Sequence, residues 1–248
     1  MGGRLVSFLE RQWYVGGWLG AVLSPLGAVY GGLMRIRRAA YRRGWLHPDP
    51  MPVPVVVVGN LTVGGTGKTP LVLALVERLL GEGRRPAVVS RGYGRRGKDV
   101  TVVSAGEGRL LPVAECGDEP ALIADRLAVP VVVGADRSAA VGRAAELGAD
   151  CVVADDGFQR LSLARERSFV VVDGERGLGN GRCLPAGPLR EPASALADAD
   201  AVVLHGAGSP LAGDLRMTLV PEDLRAVGGA GEGRQLDWLA GRCVHAVA

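Results

Sequence analysis

The chain is expected to adopt an α/β fold: a phosphate-loop NTPase-like parallel sheet flanked by helices, with an incomplete second, smaller α/β unit and an N-terminal membrane-associated helical segment. Three observations predict it. Short valine-rich runs alternate with helical runs along residues 51–195, the order that builds parallel sheets with ligands at the strand carboxyl ends. One apolar run breaks into a glycine-rich loop that ends in Gly67-Lys68-Thr69 and leads into a helical run. Apolar residues make up 48% of the 248 and aromatics only 4%, so the core must be Val, Leu and Ala, which suits strands buried on both faces.

Residues 1–50 form the first segment. Trp13 to Met34 carries no charge and is followed by Arg35, Arg37, Arg38, Arg42 and Arg43. About 20 helical residues cross a bilayer, but the stretch holds six glycines, and Pro25 divides it into two shorter pieces. Trp13, Tyr14, Trp18, Tyr30, Tyr41 and Trp45 suit a headgroup boundary, and the arginines suit anionic lipid. A helix pair lying in the membrane interface is favoured; a true span and a segment packed on the rest of the protein stay open. The segment has seven arginines and two acids, a balance of +5, against +3 for the whole chain. The remainder is therefore acidic, which argues for a local anionic partner, a membrane surface, and against a nucleic-acid surface.

The stiff His47-Pro-Asp-Pro-Met-Pro52 connector opens the second segment, 51–195. Val55 to Val58 read as a buried strand. In the loop that follows, Thr62, Val63, Gly64, Gly65, Thr66, Gly67, Lys68 and Thr69 are the candidate binders of a nucleoside triphosphate. Glycines let successive backbone N–H groups converge on phosphate. Lys68 supplies a positive charge for the β- and γ-phosphates, and the Thr69 hydroxyl can ligate Mg2+. Thr62 stands where the pattern expects its first glycine. Pro70 fits a first helical turn, and LVLALVERLL aims its N-terminal dipole at the same anion.

Further strands are expected at Pro86–Ser90, at 100–103 as an edge strand, at Val129–Val133, Cys151–Asp155 and Phe169–Asp173, with helices from Asp118 and over Asp136–Leu147. Gly174 to Pro192 reads as a long loop. Residues 196–248 are expected to begin the second unit, with strands at Ala201–Leu204 and Cys243–Val247. The latter ends the sequence without a covering helix, so the chain is expected to be truncated. Cys116, Cys151, Cys183 and Cys243 show no paired spacing and read as reduced thiols.

Asp155 and Asp156 close an apolar strand, where the second acidic element of a phosphate-loop NTPase holds Mg2+; the competing explanation is a solvated strand end. Asp118 and Glu119 begin a helix, so capping competes with roles as base and metal partner. Arg91, Arg95 and Arg96 lie in one glycine loop and Arg182 and Arg190 in a second; either group could grip an anionic substrate, while each arginine alone reads as surface charge. His47, His205 and His245 have no acid at informative spacing. No guanine signature follows the later strands. A membrane-binding ATPase switch, or a truncated ATP-binding but inactive form, remains an alternative to a kinase.

Together GNLTVGGTGKTP, SRGYGRR, GDEP, VVVGADR, ADDGFQ and VVDGERGLGNGRCLPAGPLREP, in that order, resemble the tetraacyldisaccharide 4'-kinase (lipid A 4'-kinase) family, from about Val15 to Ala248. The resemblance implies ATP- and Mg2+-dependent phosphorylation of the 4'-hydroxyl of a tetraacylated glucosamine disaccharide 1-phosphate, a lipid A precursor. It implies a location on the cytoplasmic face of the inner membrane, peripheral or monotopic. Thr62 through Thr69 match the ATP loop, Asp118 the catalytic base and Glu119 its acidic neighbour near Mg2+. Asp155 and Asp156 match the second acidic motif. Arg160 replaces a common histidine after ADDGFQ, and the histidine expected to pair with Asp118 has no counterpart here.

Overall fold

The computed structural model describes residues 8–95, 97–208, 213–220 and 235–239. The chain divides into a unit spanning Met1–Met217 and one spanning Thr218–Ala248. Among the described residues of the second unit a 3-10 turn spans Leu236–Leu239. The strand expected at Cys243–Val247 lies outside the described residues.

The first unit is built on one eight-stranded sheet. Its strands are β1 (Val55–Gly59), β2 (Pro86–Ser90), β3 (Thr101–Ala105), β4 (Pro130–Val133), β5 (Cys151–Asp155), β6 (Arg167–Asp173), β7 (Ala201–His205) and β8 (Leu215–Met217), in the order β3-β4-β2-β5-β1-β6-β7-β8. All neighbours are parallel except β3, which runs antiparallel to β4 at the edge. The strand expected at Ala201–Leu204 pairs with β6, so the sheet runs on past residue 196 to Met217.

The helices are α1 (Trp18–Val22), α2 (Ser24–Arg42), α3 (Lys68–Gly81), α4 (Val113–Cys116), α5 (Asp118–Arg126) and α6 (Arg137–Glu146). Val55, Val57 and Val58 of β1 and the valines of β2, β4 and β5 are almost wholly buried between layers, with Ala140, Val141 and Ala144 of α6 on one side. Val72 and Val76 of α3 and Ile123 of α5 cover the other. The central strands read as continuous apolar runs because both faces are covered. Asp136 caps α6, its carboxylate accepting from Ala139 N at 3.0 Å.

Pro25 lies in the first turn of α2, and the chain breaks at Leu23, which separates α1 from α2. Among the described residues no helix is long and apolar enough to cross a membrane. The two long faces of α2 differ. Gly27 and Gly31 press onto the loop after β6, where a Cβ on Gly27 would meet Cys183 O and Ala186 Cβ at 2.8 Å. Leu26, Val29, Leu33 and Ile36, at helical spacing on the outer face, are each more than half exposed.

Candidate active site

The phosphate loop leaves β1 at Asn60, whose buried amide donates to Thr62 O at 2.9 Å and Gly64 O at 3.3 Å. A second strap comes from the distant 183–191 segment: Val63 N donates to Pro188 O at 2.9 Å, and Thr62 forms an isolated bridge with Leu189. Gly64 (φ 105°) and Gly67 (φ 84°) adopt left-handed backbone that favours glycine. Thr62 does not, which explains why a threonine is tolerated where the pattern expects glycine. Lys68 opens α3 and is buried, with Nζ 3.6 Å from Asp156 Oδ1. Thr69 is the next residue of the same helix.

Asp155 ends β5 with no solvent exposure, accepting from Ser90 Oγ at 3.2 Å through Oδ2, while its Oδ1 has no partner. Burial, and then the charge of Glu119, pushes its carboxyl up to about 6, with Lys68 opposing. Asp156 sits at φ 51° and is gripped by Arg190, whose Nη1 lies 3.0 Å from each carboxylate oxygen. Burial raises the Asp156 carboxyl, but Lys68 and Arg190 outweigh it, so it stays below the usual range.

Asp118 and Glu119 begin α5 after Gly117, and both are exposed. Gly117 occupies the cap position and no side chain caps this helix, so capping does not account for the two acids. Gly117 is required there: at φ 92°, a Cβ would lie 2.8 Å from Tyr93 O.

A cavity of about 780 Å³ collects these groups: Val63, Gly64, Gly65, Lys68, Asp118, Glu119 and Asp156 line it, with Ser90, Arg91, Arg137, Arg160 and Arg190. Tyr30 and Arg37 of α2 complete its wall. Thr62, Thr66, Gly67, Thr69 and Asp155 are not part of that lining; Asp155 lies buried at the end of β5, next to Asp156 in the chain.

Read singly as surface charge, Arg190 instead engages Asp156, a pairing across 34 residues that no local pattern reveals. Arg137 was not singled out either. It is buried, donates to Gly134 O at 2.5 Å and to Asp155 O at 3.5 Å, and burial with the charge of Arg160 lowers it to about 10. It therefore remains charged at neutral pH beside the acids. Its signal was present in the quoted VVVGADR run. Arg95 and Arg182 are used elsewhere, on Thr101 and Asp99 and on Gly20 O respectively. Arg96 and His245 lie outside the described residues. His205 packs against the phosphate loop, its Nδ1 2.7 Å from where a Cβ on Gly67 would stand.

Among the described residues, no three His, Cys, Asp or Glu side chains are grouped to hold an ion unaided. A magnesium ion that arrives with a triphosphate takes most of its ligands from phosphate and water and needs only one or two carboxylates. The unpartnered, buried Asp155 Oδ1 beside further acids is a place where an added cation relieves a deficit. The residues present fit such an ion.

The chain matches the family model "Tetraacyldisaccharide-1-P 4'-kinase" over residues 19–248. It is 50% identical over 233 residues to a tetraacyldisaccharide 4'-kinase of Alkalilimnicola ehrlichii, covering 93% of this chain and 68% of the relative. A Halorhodospira halophila protein of the same name is 49% identical, with 95% and 69% covered. A crystal structure of LpxK from Aquifex aeolicus in complex with ATP superposes with a TM-score of 0.78 at 34% identity, covering 90% of this chain and 72% of that one. On these matches the chain belongs to the tetraacyldisaccharide-1-P 4'-kinase family.

Proposed function

We infer that this protein is a lipid kinase that transfers the terminal phosphate of ATP to the 4'-hydroxyl of a tetraacylated glucosamine disaccharide 1-phosphate in lipid A biosynthesis. The observation that carries the reading is the shared cavity: phosphate loop, paired acids and α2 all face one space, in a chain of this family. Backbone N–H groups of the 62–69 loop and the Lys68 ammonium cradle the triphosphate. Asp118 orients the sugar hydroxyl and takes its proton late in a loose transfer. Arg91, Arg137 and Arg160 add positive charge where the anionic group passes. Thr69, Glu119, Asp155 and Asp156 would hold Mg2+, which supplies charge neutralisation of the phosphates when bound.

The exposed ridge of α2, with Trp18 and Val22 of α1 and the cations Arg35 and Arg43, seats the protein on an anionic lipid surface. That placement is peripheral, on the cytoplasmic face of the inner membrane, where the donor nucleotide and the acceptor lipid meet.

Incubation with labelled ATP and the lipid disaccharide, followed by chromatography of the lipid fraction, tests the reading: labelled lipid is expected. Asp118→Asn is expected to lower kcat by about 10²–10⁴-fold while nucleotide affinity holds. Undiminished turnover in that variant would remove Asp118 from its role.

A further inference from the structure

Helix α2 sends a largely buried cation into the protein. Arg38 donates from Nε to Glu191 Oε2 at 2.7 Å, from Nη2 to the same oxygen, and from Nη1 to Asp198 Oδ2 at 2.8 Å. Its guanidinium also stacks 4.6 Å from the centre of the Phe158 ring. Arg38, Glu191 and Phe158 are 6%, 1% and 0% exposed. None of them lines the nucleotide cavity.

What makes the cluster informative is its position in the chain. Glu191 directly follows Arg190, and Phe158 follows Asp156 by two residues. One guanidinium thus contacts a side chain from each of the two segments that carry the Arg190–Asp156 pair. The neighbouring bonds point the same way: Tyr30 Oη donates to Arg190 O at 2.8 Å and Arg37 Nη1 to Gln159 O at 3.1 Å, so α2 touches each segment twice. Arg165 also ties this segment, donating to Phe158 O at 3.2 Å and Arg160 O at 2.6 Å. Gly59, where β1 enters the phosphate loop, has no room for a Cβ because Phe158 occupies it. Asp156 itself sits at φ 51°, a conformation that survives only where its surroundings impose it.

A buried ion pair is in itself weak evidence for a stabilising role. A buried ion pair replaced on both sides by apolar residues of similar volume is often neutral or stabilising, whereas loss of one partner alone is strongly destabilising. An apolar contact would hold α2 in place as well, but it would lack the directional bonds that Arg38 makes to Glu191 and Asp198 while it lies over Phe158.

We propose that Arg38 is a positioning residue: through Glu191 and Phe158 it sets the Arg190–Asp156 pair, so that the N-terminal helix organises the acidic side of the nucleotide site. The proposal rests on the kinase reading in one respect, that Asp156 serves magnesium-bound ATP.

The test compares the full chain with Arg38→Met, Arg38→Lys and the double variant Arg38→Met/Glu191→Met. Thermal unfolding and the affinity for a fluorescent ATP analogue, with and without Mg2+, are measured in the absence of lipid. Arg38→Met alone is expected to melt well below the parent, and the double variant to regain part of that loss, since Asp198 loses Arg38 and keeps Arg42. In the double variant the tightening of nucleotide binding by Mg2+ is expected to fall by about tenfold or more, the usual effect of losing a partner that orients a metal-side group. Affinity without Mg2+ should stay within about threefold, since no residue of the phosphate loop is substituted. Arg38→Lys, which retains charge without the planar fork, should lose part of the Mg2+ effect. Parent-like tightening by Mg2+ in any folded variant overturns the proposal and leaves the kinase reading standing. A parent chain whose affinity ignores Mg2+ would instead remove the reading on which the proposal rests.

Discussion

Arg190 holds Asp156 symmetrically: a single Nη1 lies 3.0 Å from both carboxylate oxygens, and one of those oxygens is 3.6 Å from Lys68 Nζ. The acid after β5 is thereby bound to two cations, the phosphate-loop lysine and the arginine of the 183–191 segment. Each keeps the carboxylate ionised, and together they fix where it points.

Removing the arginine should therefore expose how much of catalysis depends on that direction. Arg190→Gln is expected to lower kcat/KM for ATP-dependent lipid phosphorylation by about 10–100-fold, the scale of a lost hydrogen bond to a charged group. Steady-state kinetics on the purified variant checks it. A change of less than about twofold would mean that Lys68 alone suffices to orient Asp156.

The outer ridge of α2 offers a second measurement. Leu33→Asp/Ile36→Asp replaces two exposed apolar side chains, so the melting temperature should hardly move. Binding to vesicles containing anionic lipid should fall by about tenfold or more, given about 1.5–3 kcal/mol for each large apolar side chain buried. Co-sedimentation of both proteins with the same vesicles decides the matter.

Asp200 links folding to pH. Its carboxylate accepts from Ser168 N at 2.7 Å and Ser168 Oγ at 3.0 Å, and although burial raises its pKa, those bonds and Arg167 bring it below the usual value. A depressed folded pKa adds stability above the unfolded value of about 3.9, and that stability disappears as pH falls through the folded one. Asp200→Asn should cost about 1 kcal/mol at pH 7, a low figure because the pair is partly exposed. The gap from the parent should close in strongly acid solution, as followed by urea unfolding at stepped pH.

Thiol chemistry gives a fourth check. Cys116, Cys151 and Cys183 are buried and unbridged. Burial raises all three, with Cys151 pushed up to about 11 by burial and by Asp150. Little thiolate exists at pH 8, so these residues should resist alkylation in the native protein and react on unfolding. Peptide mapping after a short iodoacetamide pulse reads each site separately.

The elements legible in the sequence were those written locally. β2 begins and ends where its proline and serine suggest, and the valine runs of β1 and β5 announce strands covered on both faces. The edge strand near residue 100 was visible, but its antiparallel direction was not, because direction depends on the chain's path between Lys98 and Pro130. At the candidate site, the phosphate loop and the acid pairs were readable from spacing. Arg190, Asn60 and Tyr30 were not, since each acts on a group remote in sequence or through a backbone carbonyl. Pro25 marked where the apolar N-terminal stretch divides, but not which of its residues face inward. Only helical geometry sorts Gly27 and Gly31 inward and Leu26, Val29, Leu33 and Ile36 outward.

That sorting has an energetic consequence for the acceptor. Helix α2 is about 10 Å across with its side chains, and on the proposed seating it separates the hydrocarbon from the cavity bounded by Tyr30 and Arg37. Lifting an acyl tail into water costs about 0.8 kcal/mol per methylene, so drawing several tails out together would exceed what a protein pocket can return. A sugar that bends around one helix while its tails stay in the leaflet never meets that barrier.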